Sequence, residues 1–366
     1  MHFWALPGPQ GFLEEVVQCL NVGSSVVLAI PAFGPPDVMD ALGERIRGRW
    51  FWDVVSPPED QKPAAFIAEQ FIYNGEGSLH DVVSVASSPD LEGRAIGVHG
   101  VGASAWPRWR QFIEEFSEVS RNRSEAERAL LVLQAPPAGL NGVIKTDVTL
   151  SAVSWHGRMT ELDTLLYASY QLQGRSLSKP RRRLLAQVIT QIAAWDWRIV
   201  ERLAEETPRR VLEAVEVLVE MGEERGWQAD SSESWADGGQ DEFEGQVLVS
   251  AILLALRGDR RGLEHRVWAA QAAVLMPELE RQRLSLIRKI DRSLRVPVET
   301  PYGLITDKRD LELGHIATQL GGRLVDNRTR EFVRKLRDAR NCLAHMEPVP
   351  AEWLLADEVL PFLGGS

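Results

Sequence analysis

The sequence predicts an α/β domain with a largely parallel sheet followed by an all-α region, and three observations carry that expectation. Over residues 1–157 short apolar runs alternate with amphipathic stretches, the pattern of strands joined by crossover helices. After His156 apolar positions recur at helical spacing through long segments, with no further convincing strand. Residues 228–245 are rich in Asp, Glu, Ser and Gly, with Trp235 and Phe243 as their only large apolar side chains, and read as an acidic linker.

The elements follow in order. Residues 25–30 read as a buried strand, 36–46 as a helix, 51–55 as a second strand and 64–71 as a helix. Residues 95–98 form a third strand, an amphipathic helix covers 109–119, 129–133 is a strong strand, and 143–153 is β-rich. Helices are expected over 160–172, 180–205 and 209–224, then over 246–256, 263–290, 311–319 and 327–345. Pro277 should kink the third-last of these, because proline removes a backbone donor and crowds the preceding turn. Asn327 is a candidate N-cap, and Pro348 and Pro350 close the last helix. The domain boundaries expected are thus 1–157 (α/β), 158–227 (helical companion), 228–245 (linker) and 246–366 (helical bundle).

A chain of 366 residues fits two to three domains, and 44% hydrophobic with 25% charged residues is an ordinary globular composition. The net charge of −11 argues against a general nucleic-acid coat, which needs Lys and Arg to neutralise phosphates. A local basic surface remains open, since Arg328, Arg330, Arg334, Lys335, Arg337 and Arg340 crowd one helix. Cys19 and Cys342 stand far apart without metal-ligand spacing, so neither a disulfide framework nor a zinc site is expected. The amino terminus lacks the basic and apolar regions of a signal peptide, and no apolar run is long enough to cross a bilayer. The expectation is a cytoplasmic protein without metal, cofactor or membrane partner.

The most informative segment is Arg340-Asn341-Cys342-Leu343-Ala344-His345. From Phe332 onward, Phe332, Val333, Leu336, Ala339, Leu343 and Ala344 mark a buried helix face, and Arg340 projects onto it. A sheltered guanidinium needs a carboxylate, a phosphate or a partner subunit. Arg340 and His345 fall about 140° apart on an ideal helix, so they share a face only if the helix ends or distorts between them. A purely structural reading pairs Arg340 with Glu312 or Glu280 and leaves His345 interacting with the helix dipole. Trp268 and Gln271, on another helix, either face a ligand or fill the core. Gly97-Val98-His99-Gly100-Val101-Gly102 follows a strand and reads as a strand-end turn or a pocket wall.

The Arg-Asn-x-x-x-His pattern resembles the signature of the HEPN superfamily, all-helical domains that include metal-independent ribonucleases of bacterial toxin and antiviral systems. The resemblance implies a composite site between two protomers, in which Arg340 stabilises phosphate charge, His345 serves as acid or base, and Asn341 orients its neighbours. It implies a homodimer or other subunits of a defence complex as partners, and RNA as substrate of an active site. The alternative is a non-catalytic adaptor that docks partner proteins through both modules.

The order of an α/β domain and a helical companion resembles AAA+ and STAND-type P-loop ATPases. The loop after Ile30, Pro31-Ala32-Phe33-Gly34-Pro35-Pro36-Asp37, departs from that pattern. It has one glycine, prolines that cannot donate, and no Lys-Ser or Lys-Thr pair to hold phosphate and magnesium. Leu130-Leu131-Val132-Leu133 runs into Gln134 and Ala135 where an acid would be expected. The module is therefore expected to be P-loop-NTPase-like but degenerate, without ATP hydrolysis.

Overall fold

The computed structural model describes residues 2–73, 80–124, 127–140, 146–321 and 326–356. It divides into two compact units: Met1–Asp163 with Ser231–Ser250, and Thr164–Asp230 with Ala251–Ser366.

The first unit is α/β. Its elements are α1 (Pro7–Asn21), β1 (Ser25–Ala29), α2 (Val38–Ile46), β2 (Phe51–Val55), α3 (Pro63–Phe71), α4 (Val82–Ala86), β3 (Arg94–Val98), α5 (Trp106–Ser120), β4 (Leu130–Ala135) and β5 (Leu150–Ser154). Five strands form one all-parallel sheet in the order β2-β3-β4-β1-β5. Val26, in β1, stands opposite Val132 of β4 on one side and Ser151 of β5 on the other. Val26, Val27 and Leu28 are all fully buried because helices cover both faces, which is why β1 reads as a continuous apolar run. One face packs Phe66 of α3 and Trp109, Phe112 and Phe116 of α5 against Ile96, Leu131 and Leu133. An aromatic cluster of Phe3, Trp4, Phe12 and Trp155 fills a second core region, with edge-to-face contacts such as Phe12 on Trp155 at 5.1 Å.

Helix α1 was not among the expected elements. Proline within its first turn suits the helix start, and Phe12, Val16 and Leu20 recur every fourth residue on its buried side. Part of the expected β-rich run, 143–145, lies outside the described residues; the rest supplies β5.

The stretch 228–245 is not a linker. It carries β6 (Gln240–Phe243), which pairs antiparallel with β7 (Gln246–Val249), and residues 231–250 belong to the α/β unit. Glu244 and Gly245 both take positive φ, 52° and 74°, the pattern of a tight hairpin turn whose twist matches its strands. The expected helix over 246–256 accordingly starts as a strand and becomes helical only at Ala251.

The second unit is largely helical: α6 (Glu161–Gln171), α7 (Lys179–Ala193), α8 (Trp197–Glu205), α9 (Pro208–Leu212), α10 (Val215–Glu224), α11 (Ala251–Leu256), α12 (Arg260–Lys289), α13 (Leu313–Leu320), α14 (Asn327–Ala344) and α15 (Ala351–Leu355). A small hairpin of β8 (Val298–Thr300) and β9 (Gly303–Ile305) follows α12, a second departure from the expected absence of strands. The helices on either side of residues 231–250 form one body, with α12 lying along α7 and packing on α14, so the companion and the bundle are not separate domains.

Helix 180–205 is broken at Ala194, which turns at φ 50°, and Asp196 caps the new start by accepting the N–H of Arg198 and Ile199. The segment 209–224 likewise divides into α9 and α10. Pro277 sits inside α12 without ending it, and the helix runs 30 residues. The cap of α14 is Asp326 rather than Asn327, its carboxylate accepting the Thr329 N–H at 2.8 Å.

Candidate functional site

In an open parallel sheet, ligands bind beyond the carboxyl ends of strands whose outgoing connections leave in opposite directions. Here those strands are β1 and β4. The chain leaves β1 toward β2 at one edge and leaves β4 across β1 toward β5 at the other.

The loop after β1 is shaped by its own chemistry. Phe33 and Asp37 hold left-handed φ values of 58° and 46°, costly for side chains with a Cβ. The N–H of Gly34 turns back on the Pro31 carbonyl at 3.0 Å, and that of Ala32 donates to the Ala236 carbonyl at 2.8 Å. The Pro36 carbonyl accepts the Trp4 indole N–H at 2.9 Å. Pro31, Pro35 and Pro36 have no N–H to offer, and Asp37 brings negative charge where a phosphate site needs positive. These amides do not form a cradle.

Residues 231–250 stand against this loop. Gly238 takes φ 75°, and a Cβ on it would lie 2.6 Å from the Ala32 carbonyl oxygen, so only glycine lets the two backbones approach this closely. Behind it, the buried Asp241 accepts N–H bonds from Gly157 at 3.0 Å and Glu242 at 2.7 Å. His156, at the end of β5, lies 3.6 Å from the same carboxylate and edge-on to Trp235. Burial pushes the Asp241 carboxyl above the usual carboxylate range, against the pull of those hydrogen bonds and of His156. The N–H of Glu161 donates to the Glu244 carboxylate at 2.7 Å, a further tie on the hairpin.

The glycines of 97–102 serve packing and turning. A Cβ on Gly97 would meet the Trp52 ring at 2.8 Å, and Gly100 turns the chain at φ 71°.

The carboxyl-terminal motif occupies the end of α14. Arg340 lies on the angular sector of the buried residues Val333, Leu336 and Leu343, as the spacing predicts, but its guanidinium is not sheltered: the side chain is 39% exposed. It reaches out to Glu312, the N-cap residue of α13, at 3.1 Å, whereas the other candidate, Glu280, pairs with Arg283. Arginine's long apolar stem allows this, covering core surface while its head emerges into water.

Asn341 and His345 are exposed, and neither side chain has a partner among the described residues. His345 is the C-cap of α14. The helix ends in a Schellman motif, with Met346 at φ 59° in the position usual for glycine and the Glu347 N–H returning to the Cys342 carbonyl at 2.9 Å. The end is therefore defined rather than frayed, and the structure does not bring Arg340 and His345 together within one chain.

Trp268 and Gln271 of α12 fix this region instead of facing a ligand. The Trp268 indole donates to the Leu343 carbonyl at 2.8 Å. The buried Gln271 amide donates to the Val349 carbonyl at 3.2 Å and accepts the Val349 N–H at 2.6 Å. Beside Gln271 lies a cavity of ≈ 680 Å³, floored by Leu212, Leu218, Leu263 and Val267 and rimmed by the Arg209–Glu352 pair. Its lining comes from four separated segments, so no local pattern of residues announces it.

Among the described residues no group of three His, Cys, Asp or Glu side chains is placed to hold a metal ion, and no helix is long and apolar enough to cross a membrane. The fold and these surfaces define an open parallel α/β unit joined in sequence to a helical one. No protein-family model matches the sequence, and no curated protein or solved structure matches it significantly.

Proposed function

We propose that the protein is a non-hydrolysing docking subunit, descended from a P-loop ATPase fold and working within a bacterial defence or conflict complex. The observation that carries this reading is that the loop after β1, where an open sheet of this kind receives its ligand, is engaged by residues 236–238 of the same chain. The lineage has support of its own. It rests on the resemblance and on the all-parallel order β2-β3-β4-β1-β5, in which β1 is an interior strand that leads into a loop and a helix. Two features fit docking: an ion-paired Arg340 and a motif surface open to a second protein.

The test combines co-purification with melting. The chain should elute with a partner encoded beside it, and millimolar ATP with magnesium should leave its melting temperature unchanged, since only a ligand of the folded state stabilises it. A clear upward shift with nucleotide, or full function of the isolated chain, overturns the reading.

A second reading is a HEPN-type ribonuclease assembled from two copies. It is favoured by the exposed, unpartnered Asn341 and His345, which a second α14 would cover. There Arg340 would grip the scissile phosphate and His345 would transfer the 2′-hydroxyl or leaving-group proton. Loss of RNA cleavage in His345→Ala, with unchanged folding, supports it; equal cleavage by mutant and wild type rejects it.

A further inference from the structure

The second unit carries a concentration of positive charge that neither reading uses. Residues 281–309 contain eight Lys and Arg against three acids, in a chain of net charge −11. Arg281 and Arg283 are ion-paired to Glu278 and Glu280. Arg288, Arg292, Arg295 and Arg309 are exposed, and none pairs with a carboxylate among the described residues.

Three of these four, Arg288, Arg292 and Arg309, line clefts, and Arg295 follows Arg292 in sequence just beyond. A cavity of ≈ 910 Å³ is bounded by Arg288, Lys308 and Arg309 with Val296 and Ile287, and one of ≈ 570 Å³ by Arg288, Lys289 and Arg292 with Asp326 and Thr329 at the start of α14. Arg288 and Asp291 line both, so the two clefts adjoin, and the exposed Arg328 stands one residue from Thr329 of the second. The three acids that line these clefts are engaged, and Asp307 accepts the Arg309 N–H at 2.8 Å. Lys308 holds Asp291 at 2.9 Å, and the hydroxyl and N–H of Thr329, with Lys289 adding to them, keep the Asp326 carboxyl below the usual carboxylate range.

The β8–β9 hairpin, whose flanking residues Val296 and Thr306 line the first cleft, presents Tyr302 at its tip, 100% exposed, and Leu304, 56% exposed. The tip is braced, because the Thr300 hydroxyl donates to the Gly303 carbonyl at 2.8 Å and accepts the Tyr302 N–H at 3.2 Å. An exposed aromatic ring on a braced turn, in a hairpin whose flanking residues Val296 and Thr306 line a cationic cleft, is an arrangement that lets bases stack while the cleft follows the phosphates.

We propose that the end of α12, the β8–β9 hairpin and the start of α14 form a binding track for a single strand of nucleic acid, its phosphodiester backbone on Arg288, Arg292, Arg295 and Arg309 and a base on Tyr302. An unstacked base is required to reach the ring, which selects single strands over duplex. The proposal is independent of the docking and nuclease readings.

The test is fluorescence anisotropy of the full chain with labelled oligo-U and oligo-dT of about 12 nucleotides, within the span such grooves cover. Binding should weaken steeply between about 50 and 200 mM salt. Arg288→Gln/Arg292→Gln/Arg295→Gln should lower affinity about tenfold or more and flatten the log–log salt slope by about 2, the share of three phosphate contacts on a single strand. Tyr302→Ala, which alters a side chain with no packing role, should lower it about fivefold or more. Arg260→Gln/Arg261→Gln, at the other end of the same helix, should bind as wild type.

A preference for oligo-U over oligo-dT assigns RNA, and equal binding assigns single strands of either sugar. Absence of binding at low salt overturns the proposal, as does an unchanged salt slope in the triple variant. Equal or tighter binding to phosphatidylserine vesicles or to polyglutamate also overturns it, since the surface would then serve a membrane or an acidic protein.

Discussion

The N–H of Ala32 donates to the carbonyl of Ala236 at 2.8 Å, which ties the loop after β1 to the segment entering β6. A hydrogen bond between segments some two hundred residues apart is sustained only if the backbones can approach, and Gly238 is what permits that. Gly238→Ala should therefore destabilise the protein by about 2 kcal/mol, the sum of a left-handed φ for alanine and a clash with the Ala32 carbonyl. Gly258→Ala is the matched control: its φ is 69° but the space around it is open, so it should cost only about 1 kcal/mol. Denaturant unfolding measures both, and hydrogen exchange at Ala32 should accelerate in the first variant alone.

Asp241 provides a pH dependence of definite sign. Its carboxyl titrates above the unfolded value because burial disfavours the charge. A group raised in this way contributes stability below its unfolded pKa, and loses that contribution as pH rises through the folded one. Asn at this position keeps an oxygen for the N–H groups of Gly157 and Glu242 while carrying no charge. Asp241→Asn should accordingly melt higher than wild type near pH 7, with the difference shrinking as pH falls toward 4. A constant difference across that range would show that the carboxylate charge is not what burial penalises.

Particular residues show where the fold was readable in the sequence. Val26, Val27 and Leu28 announced β1 because both sheet faces are covered, so burial left an unbroken apolar run. The β6–β7 hairpin was lost among acids: Asp241 is buried yet polar, and Glu244-Gly245 is a turn signal without strongly apolar flanks. The break at Ala194 had no glycine or proline to mark it, and only the Asp196 cap records the new start. For the motif, spacing placed Arg340 on the correct sector of α14 but could not show that its head would leave the core for Glu312. The cluster of cations over 281–309 was visible in composition, but the clefts it lines were not, because Arg288 and Arg309 come to one cleft from separate segments.

The two kinds of arginine pair in the helical unit should differ sharply in worth. Arg225 grips Asp196 through both nitrogens, at 2.8 and 3.1 Å, with both side chains almost wholly buried, and Asp196 also caps α8. Removing one partner leaves a buried charge unmatched, so Arg225→Met should cost about 3–5 kcal/mol. Arg340 and Glu312 are screened by water, and Glu312→Gln should cost less than about 1 kcal/mol. Equilibrium unfolding compares them directly. A Glu312 variant as damaging as the Arg225 variant would mean that Arg340 is held in a far drier setting than its exposure indicates.

Gln271 tests how firmly the chain beyond His345 is anchored. Its amide satisfies both the N–H and the carbonyl of Val349, so Gln271→Leu keeps the approximate volume but strands two buried backbone groups. Each unpaired group costs about 1–3 kcal/mol, and the variant should lose about 2–6 kcal/mol in all. Trp268→Phe removes only one donor from the Leu343 carbonyl, which also accepts the Met346 N–H, and should cost about 1 kcal/mol. Hydrogen exchange separates the effects: the Val349 amide should open in Gln271→Leu and stay protected in Trp268→Phe. Protection of Val349 in both variants would show that the segment after α14 is held by its apolar contacts, Val349 and Leu354 among them, rather than by the glutamine.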